Sequence, residues 1–86
     1  MKVLFYGNVL DFTNNEKSCE VNDCQDIQEL LNNVTTHFGE RFREYLFGNE
    51  TCFILVNGRG IMLTGGLNTK LHPGDKIEIL PFTEAG

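Results

Sequence analysis

One amphipathic helix constrains the fold of this chain more than any other feature of its sequence. Apolar residues recur with helical spacing at Ile27, Leu30, Leu31, Val34 and Phe38. This series forms a single stripe along a helix, and such a stripe must be covered by another layer of structure. Asn22-Asp23 is the predicted N-cap, which puts Asp26 in the first turn, where a carboxylate favours the positive end of the helix dipole.

Segments typical of β-strands precede the helix. Lys2 to Tyr6 is apolar and rich in β-formers, and Gly7-Asn8 ends it. The turn signal Thr-Asn-Asn predicts that Lys17 to Val21 returns as a second strand. These two strands are expected to form a hairpin.

More strands are predicted after the helix. A second, shorter helical pattern follows Gly39 and ends at Gly48-Asn49. Cys52 to Val56 is a continuous apolar run, typical of a strand that is covered on both faces or lies centrally in a sheet. Asn57-Gly58 is a strong hairpin signal, so Ile61 to Leu63 is expected to pair beside that strand.

The last strand determines the predicted topology. The turn signal His72-Pro73-Gly74-Asp75 leads into Lys76 to Leu80, in which Ile77 and Ile79 would face the core. The first and last strands can then lie parallel at the centre of the sheet, with the helix in the crossover between them. We expect an α+β fold, a ubiquitin-like β-grasp in which a mixed sheet of four to five strands packs on one main helix. Residues 1–81 would form this domain, and residues 82–86 a flexible C-terminal tail.

The composition argues against several classes of function. A chain of 86 residues is expected to form one domain. Its net charge of −5 and its seven Lys and Arg residues, which form no run, argue against nucleic-acid binding. The N-terminal apolar stretch is too short for a signal peptide or a membrane span, so we expect a cytoplasmic protein without membrane contact.

The cysteines and histidines do not indicate a metal site. Cys19, Cys24 and Cys52 are an odd number without C-x-x-C spacing, which argues against a disulfide framework and a zinc site. Cys24 lies at the predicted helix N-terminus, where a thiolate is stabilised, so a reactive thiol is an alternative to a buried, idle cysteine. His37 and His72 have no Cys or His at ligand spacing, and we expect this chain to bind no cofactor or metal.

Apolar residues around the last strand indicate a docking surface. Leu80, which would lie on the face opposite the core, and Phe82 are the candidate docking residues, because exposed apolar side chains rimmed by polar ones mark interfaces. Tyr6 and Ile61 are expected on neighbouring strands and would join the same patch. The alternative is that these side chains only pack within the sheet.

Four segments of the chain resemble the small sulfur-carrier family with a ubiquitin-like fold. This family includes the small subunit of molybdopterin synthase and the sulfur carrier of thiazole formation. The segments are KVLFYGNV, VNGRGI, the turn and strand L-x-x-GDKIEILP, and a Pro five residues before the terminal Gly. The resemblance covers nearly the whole chain, and the second helical piece between Gly39 and Gly48 favours the molybdopterin type.

The resemblance implies that Gly86 is the reactive residue. In this family an activating enzyme of the ubiquitin-activating type uses ATP and Mg to adenylate the terminal carboxylate, which then becomes a thiocarboxylate. The tail of the molybdopterin type enters the large subunit of molybdopterin synthase, which builds the dithiolene. The family ends Gly-Gly, whereas this chain ends Ala85-Gly86, so the partner contact differs at Ala85. The alternatives are a ubiquitin-like protein modifier and a non-catalytic β-grasp interaction domain.

Overall fold

A computed structural model describes residues 1–48 and 52–81 as one mixed sheet with two helices. The strands are β1 (Lys2–Phe5), β2 (Ser18–Glu20), β3 (Cys52–Val56), β4 (Arg59–Gly60) and β5 (Lys76–Pro81). The helices are α1 (Ile27–Phe38) and α2 (Glu40–Gly48). The predicted first hairpin and the second helix are confirmed, although the 3₁₀ helix Gly7–Phe12 inside the hairpin connection was not predicted.

The order of strands across the sheet is β2-β1-β5-β3-β4. The last strand therefore lies at the centre, parallel to β1 and antiparallel to β3. The crossover from β1 to β5 contains both helices, as a parallel pair requires. The predicted ubiquitin-like β-grasp fold, with its parallel central pair, is confirmed.

The helix stripe forms the core together with one face of the sheet. The buried apolar side chains of the helices are Ile27, Leu30, Leu31 and Val34 of α1 and Phe42 and Leu46 of α2. On the sheet, Val3, Phe5, Ile77 and Ile79 are at most 2% exposed. Phe5 contacts Phe38 and Phe42 edge to face, with ring centroids 5.5 and 5.9 Å away, the preferred geometry of aromatic pairs. Because burial of each such side chain is worth about 1.5 to 3 kcal/mol, this layer is the main source of stability.

Helix α1 begins later than the sequence predicted. Its N-cap is Asp26, whose Oδ1 accepts a hydrogen bond from the Glu29 backbone N–H at 2.9 Å. The prediction of a cap at Asn22-Asp23 is wrong because residues 25–27 pair with a distant segment before the helix begins. An antiparallel bridge joins Asp26 to Lys70 and keeps the backbone extended up to the cap.

Replacing Asp26 by Ala is expected to lower the free energy of unfolding by about 1 kcal/mol, because the Glu29 N–H loses its acceptor. The matched control is Asp23→Ala, which removes an exposed carboxylate at the position the sequence favoured. That variant should stay within about 0.5 kcal/mol of the parent. Urea denaturation of both variants makes the comparison, and an equal loss in the control would contradict the observed cap.

The second hairpin is shorter than predicted. Its turn is confirmed, with Asn57 and Gly58 at φ of 52° and 85°, but β4 contains only Arg59 and Gly60. Ile61 to Leu63 form a 3₁₀ helix and not a strand. The chain leaves the sheet edge here because the residues that follow pack beside the start of α1. There the Ile27 N–H bonds to the carbonyl of Thr69 at 3.1 Å.

The turn before β5 has the predicted geometry. Gly74 takes a φ of 88°, which a type II turn requires at its third position. The Asp75 N–H closes the turn on the carbonyl of His72 at 3.1 Å. In the part of the chain described here, no helix is long and apolar enough to cross a membrane.

Candidate functional site

The central strand β5 divides the two faces of the sheet. Ile77 and Ile79 are fully buried in the core, whereas Glu78 and Leu80 are half-buried on the opposite face. The alternation predicted for this strand is confirmed. Leu80 therefore lies on the side of the sheet that turns away from the helices.

An apolar patch occupies this second side, which we call the open face. Its apolar members are Leu4, Tyr6, Phe53, Leu55 and Leu80. The register brings them together, because Phe53 pairs with Leu80 across β3 and β5. Leu4 and Leu55 pair with Glu78 from the two sides of β5. A group of partly exposed apolar side chains of this kind is typical of a protein contact site.

Phe53 and Leu55 were not recognised from the sequence. The run Cys52 to Val56 was predicted to be covered on both faces or central, yet β3 is next to the edge strand and Phe53 is 42% exposed. Only alternate residues of β3 point to the core, with Ile54 buried. The signal was hidden because both sets of side chains are apolar, so the run shows no change of polarity with period two.

One polar contact lies within the open face. The hydroxyl group of Tyr6 donates a hydrogen bond to Glu78 Oε2 at 2.9 Å. This bond raises the pKa of Tyr6, because losing the phenolic proton would leave two negative charges side by side. Tyr6 is 38% exposed, so its ring extends the apolar surface while its polar end is held by the carboxylate.

A second apolar feature, the edge groove, lies beside the open face. It has a volume of about 540 Å³. The residues that matter here are Leu46, Phe53, Leu55, Ile61, Met62 and Leu63. Met62 and Leu63 are 80% and 84% exposed, since the 3₁₀ helix carries them off the sheet. The groove thus adds the exposed apolar side chains of Met62 and Leu63 beside the open face.

The structure places two of the predicted docking residues, Tyr6 and Leu80, on the open face and the third, Ile61, in the edge groove. Leu80 connects to Ile61 through Phe53 and Leu55, which belong to both the open face and the edge groove. The prediction that Tyr6 and Ile61 lie on neighbouring strands is wrong. Two strands, β5 and β3, stand between β1 and the end of β4. Tyr6 instead borders β5, where its N–H bonds to the carbonyl of Ile79 at 3.1 Å.

The remaining predicted site residues are Phe82, Ala85 and Gly86. All three lie outside the described residues, and so does the predicted tail of residues 82–86. The described part of β5 ends at Pro81.

None of the cysteines has the environment of an activated thiol. Burial raises the pKa values of Cys19, Cys24 and Cys52, in the case of Cys52 to about 11. Cys24 lies ahead of α1 and not at its N-terminus, and its thiol donates to the carbonyl of Asn22 at 3.2 Å. The reactive-thiol alternative for Cys24 therefore has no support, because nucleophilic cysteines have lowered pKa values.

Cys52 is expected to react with iodoacetamide about 100-fold more slowly in the folded protein than in the urea-unfolded chain at pH 8.5. The raised pKa leaves less thiolate, which is the reacting species. The folded state holds the thiol proton of Cys52 more tightly than the unfolded chain does. The contribution of this thiol to stability is therefore present below pH 9 and is lost as the pH rises towards about 11. Peptide mass spectrometry over time gives the rate for each cysteine. Equal rates in the two states would contradict the described environment of Cys52.

The described residues also lack a candidate metal centre. Within residues 1–48 and 52–81, no three His, Cys, Asp or Glu side chains come together as possible ligands. This arrangement suits the binding of a partner protein. The apolar open face includes the central strand, which leads towards the C-terminus.

Comparison with known proteins agrees with this architecture. The fold is that of ubiquitin-like β-grasp proteins, and residues 3–84 match the model of the ThiS family. The chain belongs to the ThiS family, a family of small ubiquitin-like sulfur carriers. The resemblance inferred from the sequence is therefore confirmed. Among curated protein sequences, no individual protein matches the chain.

Three solved structures are similar over nearly the whole chain. A chain of the BexX/CysO complex from Amycolatopsis orientalis has a TM-score of 0.84 at 22% identity, covering 99% of this chain and 98% of that one. The small archaeal modifier protein 1 from Methanosarcina acetivorans has a TM-score of 0.82 at 23% identity, covering 99% and 94%. A chain of the complex between subunits 1 and 2 of molybdopterin-converting factor from Helicobacter pylori has a TM-score of 0.64 at 26% identity, covering 99% and 96%.

Proposed function

We propose that this chain is a cytoplasmic sulfur carrier that serves as the small subunit of molybdopterin synthase. The observation that carries the proposal is the family match over residues 3–84. The molybdopterin branch is supported by 26% identity, over 99% of the chain, to a protein of the Helicobacter pylori molybdopterin-converting factor complex. Free cysteines fit a reducing compartment.

The reacting group in this proposal is the carboxylate of Gly86. A carboxylate is a poor electrophile, so an activating enzyme first joins its oxygen to the α-phosphorus of Mg-ATP and releases pyrophosphate. Hydrosulfide then attacks the acyl carbon of the adenylate, AMP leaves with the electrons of the broken carbon–oxygen bond, and one proton is released. The product is a thiocarboxylate. The sulfur acceptor is the substrate held by the large subunit, and both enzymes supply all other catalytic groups.

The open face supplies the contact that this division of labour needs. A carrier must dock on an activating enzyme and later on a large subunit, and in our proposal the open face serves both partners. Leu80 lies one residue before the last described residue, within the open face and next to Phe53. In our proposal, Tyr6, Ile61 and Leu80 contact the partner directly, and Phe82 and Ala85 continue that contact towards Gly86.

Ala85 sets a condition on the partner enzymes. Glycine permits backbone angles and close wall contacts that a Cβ forbids. The enzymes that act on this chain must therefore leave space for one methyl group beside the penultimate residue.

Reconstitution with separate acceptor systems tests the molybdopterin assignment. The thiocarboxylated chain is mixed in parallel with the large subunit of molybdopterin synthase and its precursor, and with thiazole synthase and its precursors, all from the same organism. We expect sulfur transfer to the dithiolene product only in the first mixture. Transfer in the thiazole mixture alone would contradict the assignment. ATP-dependent isopeptide adducts on other proteins, without transfer to either acceptor, would instead support the protein-modifier alternative.

A further inference from the structure

The backbone of Gly7 packs against the ring of Pro81 at the end of the central strand. Gly7 takes a φ of +58°, in the left-handed region that favours glycine. A Cβ added at Gly7 would lie 2.8 Å from Pro81 Cγ and 3.1 Å from Pro81 Cδ. The proline ring therefore occupies the space beside Gly7 that the side chain of any larger residue would fill.

Pro81 is contacted from both sides, by β3 and by the start of the 3₁₀ helix that follows β1. On one side, Pro81 pairs with Cys52 at the end of β3. On the other side, the parallel pairing of β1 with β5 runs to Phe5 and Ile79, and the Tyr6 N–H adds one more bond to the Ile79 carbonyl at 3.1 Å. Proline has no N–H with which to extend a ladder. Packing against Gly7 takes the place of that missing hydrogen bond.

We propose that this contact fixes the direction in which residues 82–86 leave the sheet, and that Gly7 is a positioning residue for the terminal carboxylate. The proposal rests on the function proposed above. Five residues follow Pro81 and span at most about 17 Å when fully extended. A change in the backbone direction at Pro81 would therefore shift the range of positions that the terminal carboxylate can reach, and a misplacement of about 1 Å can cost 100-fold in rate. A strand end that is held firmly reduces this error before the partner binds.

The test compares Gly7→Ala with Gly66→Ala, using the activating enzyme of the same organism, Mg-ATP and sulfide. Gly66 has a matching φ of +61°, but a Cβ there would meet nothing within 4 Å. Both variants carry similar backbone strain, and only the first displaces Pro81. For Gly7→Ala we expect the kcat of thiocarboxylate formation to fall at least about tenfold. The KM of the activating enzyme for this chain should stay within about twofold of the parent value. Gly66→Ala should keep both constants close to those of the parent chain.

A double-mutant cycle separates the contact from a general effect on stability. Pro81→Ala removes the ring atoms that Gly7 supports, so it should lower kcat by itself. In the Pro81→Ala background, Gly7→Ala should have no further effect, because the atoms that would clash are gone. Independent, multiplying effects of the two substitutions would overturn the proposal.

The outcomes also separate this proposal from the proposed function. If the parent chain forms no adenylate and no thiocarboxylate, the sulfur-carrier function itself fails. If the parent chain is active and Gly7→Ala keeps the kcat of Gly66→Ala, only the positioning role is overturned. A rise in KM with unchanged kcat would likewise overturn it, because the contact would then shape docking and not the presentation of the terminus.

Discussion

Deletion of Gly86 is expected to abolish sulfur transfer and to leave the folded domain unchanged. The deletion removes the carboxylate that we propose is adenylated and leaves a terminus on Ala85, one residue short of the partner's reacting centre. We expect a loss of at least about 1000-fold in the rate of thiocarboxylate formation, since misplacement by a whole residue exceeds what a positioned reaction tolerates. The measurement is release of pyrophosphate together with the intact mass of the product.

The fold should survive this deletion because the described sheet ends at Pro81. The urea midpoint of the truncated chain should match that of the parent. A matched control extends the chain by one Ser after Gly86, which keeps every residue but moves the terminal carboxylate away from the glycine. That variant should be as inactive as the deletion. Full activity of either variant would show that Gly86 is not the reacting residue.

Replacing Leu80 by Asp is expected to weaken binding to the activating enzyme by at least about 100-fold. Leu80 lies on the open face beside Phe53, and a charge placed there would have to be buried without a partner when the interface forms. The side chain is only half-buried and points away from the core, so the domain should still fold. Isothermal titration calorimetry measures the affinity, and circular dichroism checks the fold.

The control for this substitution adds the same charge elsewhere. Gln28 is exposed on α1, on the other side of the sheet, and Gln28→Asp should bind like the parent chain. Equal weakening by both variants would show that net charge, and not the open face, determines the affinity. Unchanged binding of Leu80→Asp would remove Leu80 from the interface.

The central part of the fold could be predicted because its signals are local. The apolar stripe from Ile27 to Phe38 specifies α1, and the alternation of Ile77 and Ile79 with Glu78 and Leu80 specifies the two faces of β5. A long helical crossover between two strands then leaves few topologies, of which a parallel central pair is one.

The errors arose where contacts between distant segments override local preference. Asn22-Asp23 is a good capping sequence, yet the bridge between Asp26 and Lys70 keeps the chain extended, so that the N-cap is Asp26. Ile61 to Leu63 has strand-forming residues, but the need to reach the start of α1 draws it off the sheet edge.

Only part of the candidate site could be predicted, because some of its contacts also join distant segments of the chain. Leu80 follows from the alternation of a single strand. Phe53 escaped notice because its neighbours in the sequence are also apolar, and the contact of Gly7 with Pro81 joins residues near opposite ends of the chain. No local pattern encodes such a contact, so only the assembled sheet reveals it.

The central claim, that Gly86 carries sulfur, is tested most directly by intact mass after incubation with the activating enzyme of the same organism, Mg-ATP and sulfide. Ala85→Gly is treated in parallel. We expect both proteins to gain the mass of one sulfur in place of one oxygen. The gain must map to the C-terminal peptide, which distinguishes it from oxidation of Met or Cys, and it must be missing in the Gly86 deletion. A gain in Ala85→Gly alone would mean that this chain keeps the scaffold of a carrier without its chemistry, and no gain in either protein would contradict the sulfur-carrier function.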